Sequence, residues 1–313
     1  MSAAATAPQQ QFLTDLIRHS LFLPSGEPGL YGRGPVFEDV RTGVDRLIDR
    51  ASEPDKPEKP RFPPFIPKRT MEKTGYLKSF PQLCGVVFSF ADNHSKALDL
   101  IERADRGDDW SVHLSVTGMV LVPAACYPAY PAVALRGRLP TGGVTLDLGG
   151  CYVYRNEPSA DPARLQVFHQ REMVRIAEAD EVIAWRETWM ARAKNLFENL
   201  GLHPKIELAS DPFFGRAGKL LARSQREQSL KFEVLLPVSS HDLTAVASFN
   251  FHREHFGSAF GIQLNDASTA NSACLGFGLE RITLALFKAH GFDLDKWPRE
   301  VRERLWPVQP LWS

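Results

Sequence analysis

Residues 150–176 carry the pattern on which the rest of the fold depends: GCYVYRNE at 150–157, a loop with two prolines, and LQVFHQREMVRI at 165–176. Both runs are rich in aromatic and β-branched residues, and the loop between them supplies turn residues, so the pattern predicts a long β-hairpin. Arg155 and Glu157 are two positions apart, which predicts that they share one face of the first strand. A hairpin of this length favours an antiparallel sheet.

Downstream of the hairpin, residues 276–281 read GFGLER and lead into an apolar, helix-like stretch at 282–287. Glycines two positions apart let the backbone approach a ligand closely. An arginine just inside a helix offers a planar fork to phosphate oxygens. The pattern predicts a nucleotide phosphate site at Arg281, although glycine pairs ahead of helices also serve tight packing alone, and the pattern leaves that alternative open.

Other apolar runs lie on both sides of the hairpin and predict further strands. They are residues 85–90, 110–116, 144–154, 166–176, 232–236 and 245–251, with helical patterns at about 92–105, 180–200, 215–230 and 277–290. Long hairpins with polar alternation favour an antiparallel sheet with helices packed on one face. The predicted class is α+β.

The composition is that of an ordinary globular protein, with 313 residues, 43% hydrophobic residues, and 37 basic and 37 acidic side chains. A formal net charge of zero argues against tRNA as the partner, because phosphate neutralisation supplies most of the affinity for long nucleic acids. No signal-peptide pattern opens the chain, and no apolar stretch reaches the about 18 residues of a membrane span. We therefore expect a cytoplasmic protein without a membrane partner.

Four cysteines stand far apart, at positions 84, 126, 151 and 274, without a C-x-x-C pair. This spacing argues against a disulfide framework and against a structural zinc finger. Taken one at a time, each cysteine is typical of a small buried hydrophobe.

The first 60 residues differ in character from the rest. Two short amphipathic stretches, at about 10–22 and 37–51, precede SEPDKPEKP at 52–60. A charged segment punctuated by prolines is typical of a linker. The sequence predicts an N-terminal extension and linker over 1–60 and one large domain over 61–313.

The hairpin and the glycine motif together resemble the signature motifs of class II aminoacyl-tRNA synthetases. YRNE at 154–157, with Phe168 and Glu172 on the returning strand, resembles motif 2, and residues 276–281 resemble motif 3. Residues 230–237 and 244–250 resemble the two strands that complete the active site of seryl-tRNA synthetases. The resemblance covers residues 61–290 and implies a catalytic domain built on an antiparallel sheet flanked by helices.

The resemblance also implies an ATP site. By analogy with the family, Arg155 contacts the α-phosphate, Glu157 reads the adenine amino group, Phe168 stacks on the adenine, and Arg281 pairs with the terminal phosphate. Arg155 and Arg281 are thereby the implied catalytic residues, since positioning and charge neutralisation dominate such chemistry. A cross-strand ion pair between Arg155 and Glu157, and core packing of Phe168, are the structural alternatives.

Magnesium is implied as the ion that bridges the phosphates of ATP. Glu233 is one candidate ligand within the ATP site. Thr244 and Asp242 occupy the region where related synthetases place a glutamate, so the ligand assignment stays open.

In the family's fold, the segments that carry Cys126, Glu172 and Cys274 line the amino-acid pocket. Two thiolates and one carboxylate leave the fourth position of a tetrahedral zinc ion open, as in catalytic or substrate-binding sites. Such a set resembles the zinc-dependent, archaeal-type seryl-tRNA synthetases and their short relatives, the amino acid:carrier protein ligases. The implied role of zinc is to hold the neutral α-amino group of a small amino acid, with glycine favoured and then alanine.

About 60 residues broken by prolines and glycines cannot build the long helical hairpin with which seryl-tRNA synthetases grip tRNA. The resemblance therefore implies, as acceptor, the phosphopantetheine thiol of an acidic carrier protein. Basic residues at helical spacing would form a docking face for it, unless they are only a solvated surface. They are Arg216, Lys219, Arg223 and Arg226.

We expect an ATP- and zinc-dependent ligase that loads a small amino acid onto a carrier protein. Residues 61–69 and 78–81 have the proline-punctuated character of the family's dimer-forming motif 1, which implies a homodimer. A minimal seryl-type tRNA synthetase and a non-catalytic binding or regulatory paralogue are the alternatives. His252 and His255 are interpreted either as lining the acceptor entrance or as packed histidines.

Overall fold

A long antiparallel hairpin, β6 (Val144–Tyr154) and β7 (Val167–Ala177), forms one side of the central sheet. The structure is a computed structural model that describes residues 5–90, 94–211 and 213–307, without the side chains of 215–217. A bulge between Leu148 and Cys151 interrupts the pairing. The predicted hairpin is confirmed.

Four further strands complete the sheet: β8 (Lys205–Leu208), β9 (Lys231–Pro237), β10 (Leu243–Arg253) and β11 (Asn271–Gly278). The strand order is β6-β7-β11-β10-β9-β8, and every neighbouring pair is antiparallel. The predicted α+β class, with an antiparallel sheet flanked by helices, is confirmed.

The long helices α2 (Pro35–Ser52), α7 (Ala179–Glu198) and α10 (Leu279–His290) pack on one face of this sheet or on each other. The other helices are α1 (Ala7–Arg18), α3 (Lys68–Lys73), α4 (Tyr76–Ser79), α5 (His94–Arg106), α6 (Ala129–Ala134), α8 (Gly215–Glu227), α9 (His255–Phe260) and α11 (Arg299–Leu305). None of the helices in the described ranges is both long enough and apolar enough to cross a membrane.

Two small sheets accompany the central one. Strands β1 (Phe22–Pro24) and β2 (Tyr31–Arg33) form a hairpin, and β3 (Phe65–Pro67), β5 (Leu114–Leu121) and β4 (Val86–Phe90) form a three-stranded sheet in that order. The strand predicted at 110–116 begins later, at Leu114, because Ser111–His113 form a 3-10 turn.

The two faces of the central sheet bury different residues. Leu275 and Phe277 of β11 belong to the core under the long helices. Cys274, which directly precedes Leu275, belongs to a second core with Cys126 and Tyr130. Because successive side chains of a strand point to opposite faces, the even-numbered residues of β7 and β11 line the face away from α7 and α10.

Residues 5–52 pack against the body of the fold. Phe37, Val44 and Ile48 of α2 are fully buried in the same core as Phe287 of α10. Arg171 of β7 is also buried, and it forms ion pairs with acidic residues of α2 and β6, namely Asp45, Asp49 and Asp147. The division of the chain at residue 60 stays a prediction.

Candidate active site

A row of residues crosses the sheet on the face away from the long helices. It contains one residue each from β8, β9, β10, β11 and β7, which are Glu207, Glu233, Ser248, Gly276 and Glu172. Cross-strand partners have Cβ atoms about 4.5–5.5 Å apart and share one face of the sheet. The row therefore places Glu172 and Glu233, both singled out from the sequence, on one continuous surface.

Glu172 meets two thiols at one end of this row. One ligand atom from each of Cys126, Glu172 and Cys274 lies within 4.8 Å of the others, and all three residues are buried. Cys274 Sγ is 3.9 Å from Glu172 Oε1, and the Cys126 backbone N–H donates to Glu172 Oε2. The structure thus brings together three residues that are remote in sequence, and they offer two sulfurs and one carboxylate oxygen.

The electrostatics of these three residues fit a bound cation. Burial raises the pKa of the Cys126 thiol well above its ordinary value, and burial also raises the pKa of Glu172. A hydrogen bond with Cys126 lowers the pKa of Cys274, but burial and the Glu172 carboxylate outweigh it and the pKa is raised. Metal ligation requires deprotonated thiols, and a divalent cation inverts such pKa shifts. The donor set fits zinc with an open position.

Strand β10 supplies two further contacts to Cys274. Asn250 Nδ2 and His252 Nε2 each lie 3.5 Å from Cys274 Sγ. Burial lowers the pKa of His252 to about 3, so its imidazole is neutral. His252 is therefore packed beside the thiol, whereas His255 Nε2 lies 2.9 Å from the Thr74 carbonyl oxygen.

Gln170 and Gly276 shape the floor around Glu172. Gln170 Oε1 accepts a hydrogen bond from the backbone N–H of Ala125, which fixes the segment that carries Cys126. A Cβ at Gly276 would lie 2.8 Å from Gln170 Nε2 and 3.1 Å from Glu172 Oε1. An alanine here would force the end of the Gln170 side chain to shift and would press on the Glu172 carboxylate.

Arg155 and Phe168 lie together at the loop end of the hairpin, with the guanidinium carbon 5.5 Å from the ring centroid. Glu157 pairs with Arg164, at 2.7 Å, instead of with Arg155. The prediction that Arg155 and Glu157 share a face within the strand is wrong, because β6 ends at Tyr154 and the Glu157 N–H turns back to the Arg155 carbonyl. Arg155 is thus held against an aromatic ring.

Arg281 lies in the first turn of α10 and is fixed by two backbone carbonyls. Its Nε donates to Ala163 O and its Nη1 to Ala245 O, both at 2.8 Å. Burial, together with the charges of the nearby cations Arg155 and Arg164, lowers its pKa to about 10. The cations Arg155 and Arg281 thus both lie beside Phe168, and an anionic phosphate chain would relieve their repulsion.

Glu233 shares a buried lysine with Asp211. Lys231 Nζ lies 2.8 Å from Glu233 Oε1 and 2.6 Å from Asp211 Oδ1, and Gln225 of α8 donates to Asp211 Oδ2 at 2.8 Å. Burial lowers the pKa of Lys231, but the two carboxylates outweigh it and the pKa is raised. These contacts tie α8 to the sheet. Sequence reasoning missed Asp211 and Lys231, since an isolated acid in a loop and a lysine in a strand carry no periodic signal.

Helix α8 exposes basic and apolar side chains together. Lys219, Arg223 and Arg226 are exposed, Arg223 pairs with Glu227 at 2.6 Å, and the side chain of Arg216 lies outside the described residues. Large apolar side chains accompany them: Phe214, Leu220 and Leu221, with 59%, 71% and 48% of their surface exposed. We call Phe214, Lys219, Leu220, Leu221 and Arg223 the α8 surface. Sequence reasoning weighed only its charges, although the leucine pair was visible within the same helical pattern.

The antiparallel sheet, the buried pocket on one of its faces and the arginine at the start of α10 define the catalytic fold of a class II aminoacyl-tRNA synthetase. Two proteins of Bradyrhizobium diazoefficiens, named amino acid–acyl-carrier-protein ligase 1 and 2, are 43% and 44% identical over 302 and 293 residues. The matches cover 96% and 93% of this chain and 92% and 87% of the two relatives. The chain belongs to the amino acid–acyl-carrier-protein ligase family and is an enzyme of this kind, as the motifs predicted.

More distant relatives share the fold over part of their length. A type-2 serine–tRNA ligase of Methanopyrus kandleri is 30% identical over 295 residues, which are 86% of this chain and 54% of the relative. A crystal structure of the M. kandleri seryl-tRNA synthetase with A. aeolicus tRNASec matches with a TM-score of 0.80 and 24% identity, over 94% of this chain and 60% of that one. The prolyl-tRNA synthetase of Giardia lamblia matches with a TM-score of 0.66 and 13% identity, over 91% and 53% of the two chains. No family model matches the chain.

Proposed function

We propose that the protein activates a small amino acid with ATP and transfers it to the phosphopantetheine thiol of a carrier protein. One observation carries the proposal: Cys126, Glu172 and Cys274 converge on one buried spot, close enough to Arg155 for its charge to act on the Glu172 carboxylate. A site that presents soft metal donors next to a phosphate-binding surface suits an amino acid and a nucleotide together. The names of the two closely similar relatives support the same reading.

The three residues would hold a zinc ion, which when bound offers a position for the neutral α-amino group of the substrate. The remaining residues position the reactants. The substrate carboxylate attacks the α-phosphorus of ATP, the bond to the bridging oxygen breaks, and pyrophosphate leaves with its electron pair. Arg155 contacts the α-phosphate and Arg281 the terminal phosphate, where they neutralise charge.

Phe168 and Glu157 would bind the adenine by stacking and by accepting from its amino group. The Glu157 carboxylate is held by Arg164, on the loop that follows β6. Glu233 would ligate a phosphate-bound magnesium ion, and for this its contact with Lys231 has to loosen or be shared.

In the second step, the phosphopantetheine thiolate attacks the carbonyl carbon of the adenylate, a thioester bond forms and AMP leaves. We propose the α8 surface as the docking site for the carrier. Its lysine and arginine suit an acidic helical partner, and its exposed leucines supply the apolar area that interface centres require. Arg216 belongs to this proposal by its position on α8.

A small substrate is favoured by the packing next to Cys274. The rings of Tyr130 and Phe256 stack with centroids 4.0 Å apart, and Tyr130 OH lies 3.4 Å from His252 Nδ1. His252 in turn contacts Cys274 Sγ. Aromatic side chains thus occupy the space on one side of the donor set, which favours glycine and then alanine over larger amino acids.

We also propose a homodimer, formed through the three-stranded sheet and α5. Phe88 and Val116 are cross-strand partners with 52% and 53% of their surface exposed. Leu98 and Ile101 share one side of α5 with 49% and 54% exposed, and no residue of α5 is buried. An amphipathic helix whose apolar side meets no core is expected to be covered by a second copy.

The test is ATP–pyrophosphate exchange across all twenty amino acids, with zinc measured on the same sample. We expect exchange with glycine, then alanine, and one zinc ion per chain. Cys126→Ala should remove the metal and lower exchange by at least about 100-fold, more than outer contacts of a metal site typically contribute. Cys84→Ala, which changes a cysteine outside the donor set, is the matched control and should retain zinc.

The acceptor is tested with radiolabelled glycine. Transfer to a phosphopantetheinylated carrier protein and not to bulk tRNA is the expected result. Acylation of tRNA would select a minimal seryl-type synthetase instead, and absence of exchange with every amino acid would select a binding or regulatory role.

A further inference from the structure

We propose that the N-terminal segment of the chain braces the nucleotide site, and that Arg33 is a positioning residue for ATP. The inference rests on the proposed function of Phe168 and Arg281 as nucleotide contacts. It concerns residues 9–33, which precede the predicted catalytic domain.

The first set of contacts holds the loop between β6 and β7. The Gln166 backbone N–H donates to Gly29 O at 2.8 Å, and Gln166 Nε2 donates to Pro28 O at 2.9 Å. Gln9 Nε2 donates to Asp161 Oδ2 at 3.0 Å. The same loop carries Ala163, whose carbonyl accepts from Arg281. The N-terminal segment thus fixes the loop from outside while Arg281 fixes it from inside.

The second set of contacts is buried and charged. Glu280 is only 1% exposed, and its carboxylate accepts from the His169 backbone N–H at 3.0 and 2.8 Å. His169 Nδ1 lies 2.8 Å from Glu280 Oε1. Arg33 Nη2 lies 3.0 Å from the same oxygen, with its side chain 10% exposed, and Arg33 Nε reaches Glu38 at 3.0 Å.

This network is one peptide away from both proposed nucleotide contacts. His169 follows Phe168 on β7, and Glu280 precedes Arg281 on α10. Glu280 also lines the cavity that Phe168 and Arg281 share. A buried carboxylate needs a cation or several donors, so Arg33 allows Glu280 to hold the strand and the helix at one fixed separation. Without Arg33, Glu280 keeps only its contacts with His169, and the separation is held less firmly.

The experiment compares Arg33→Met, Arg33→Lys and Arg192→Met in the full-length protein. Arg192 is the matched control, because it is also a partly buried arginine in an ion pair, with Asp55 at 3.0 Å, and it lies on α7 away from Glu280. ATP affinity is measured by isothermal titration, and KM and kcat by glycine-dependent exchange, with thermal melting as the check on folding.

We expect Arg33→Met to raise the Kd and the KM for ATP about tenfold, the range of a lost charge-assisted contact, with the KM for glycine within about twofold of the wild-type value. Arg33→Lys should recover part of the affinity, since lysine restores the charge but not the fork. Arg192→Met should lower the melting temperature without changing the Kd for ATP.

Unchanged ATP affinity in Arg33→Met, or an equal loss in Arg192→Met, would overturn the proposal by reducing Arg33 to a general stabilising residue. The titration separates a role of Arg33 in ATP binding from a role in stability alone. A wild-type protein that binds ATP but shows no exchange contradicts the proposed function and leaves the brace to be decided by the Kd values. A wild-type protein that binds no ATP contradicts both.

Discussion

Gly276 lies between Glu172 and Ser248 in the row that crosses the sheet. A methyl group at this position would press on Gln170 and on the Glu172 oxygen that faces Cys274. Overpacking of this kind typically costs about 1–3 kcal/mol. We expect Gly276→Ala to lower zinc affinity by about tenfold or more, measured by competition with a chelator.

Gly278→Ala provides the comparison. Its Cβ would meet Val246 O at 3.5 Å and two side-chain carbons of Arg281 at 4.0 Å, which are ordinary contacts. This variant should retain zinc. If Gly276→Ala bound zinc as tightly as Gly278→Ala, the steric argument would be wrong.

The sequence identified the metal donor candidates only through their resemblance to a family, because Cys126, Glu172 and Cys274 share no local pattern. Their convergence depends on pairing between β7 and β11 and on the packing of the segment before α6. Both are contacts between residues far apart in sequence, which local patterns do not predict. The partner of Glu157 was beyond prediction for the same reason. Arg164 lies seven positions further on, in a loop whose path no periodicity describes.

Helix α8 is the element whose role is most open to a direct test. Reversing the charge of two exposed residues, Lys219→Glu with Arg223→Glu, should raise the KM for an acidic carrier about tenfold and leave glycine-dependent exchange unchanged, because the change acts on the partner only. The effect should shrink at high salt, since exposed charges are screened.

A double change of Lys296 and Arg299 to Glu is the control, as both side chains are exposed and neither belongs to α8. An equal rise in the KM for the carrier in this control would mean that net charge is responsible, and the docking assignment would fail.

Asp211 anchors α8, and its loss should destabilise the protein. Burial raises the pKa of Asp211, but Lys231 and Gln225 outweigh it and the pKa lies below the ordinary 3.8. The stabilisation is therefore complete above that ordinary value and is lost as the pH falls through the lower, folded-state value. We expect Asp211→Asn to reduce the free energy of unfolding by about 2 kcal/mol at pH 7, the range for a lost hydrogen bond to a charged group, because Lys231 keeps its contact with Glu233.

Urea denaturation at pH 7 and near pH 3 checks this prediction, because the difference in the free energy of unfolding between wild type and variant should be smaller in acid. Asp266→Asn is the control, since its carboxylate is exposed and accepts from Ser268 without a buried partner among the described residues. Equal stabilities of wild type and Asp211→Asn at pH 7 would contradict the anchoring role.

Element prediction succeeded where a pattern was long. The hairpin strands and α7, α8 and α10 were predicted from periodicity, whereas β8 was missed because four residues give too few alternations. Strand β11 was missed for a different reason. Its residues 271–278 contain two glycines and two small residues, a composition typical of a loop, and because both faces of the strand are buried it shows no alternation of polar and apolar residues.

The exposed apolar area on α5 and the three-stranded sheet predicts how whole molecules associate. We expect Phe88→Asp with Ile101→Asp to give a monomer by analytical ultracentrifugation, because charges at the centre of an apolar interface cost more than such an interface supplies.

Leu135→Asp is the matched control, since Leu135 is 90% exposed and lies outside this area, after α6. It should leave the association state unchanged. A wild-type protein that is already monomeric at micromolar concentration would contradict the proposed dimer.

The N-terminal helices show the limit of local reasoning about the whole molecule. Their amphipathic character is visible in the sequence, but the partner that covers α2 is α10, near the other end of the chain. The segment at 52–60 has the proline-rich composition of a linker. In the structure, the backbone N–H and carbonyl of Glu58 both form hydrogen bonds with β6.

The burial of α2 under α10 has a consequence for biosynthesis. A ribosome delivers Phe37, Val44 and Ile48 long before it delivers α10, the helix that covers them. Until α10 has been synthesised, the apolar side of α2 stays uncovered. Contacts between residues that are distant in the chain also form slowly. Helix α2 is thus expected to be a segment that chaperones bind during synthesis.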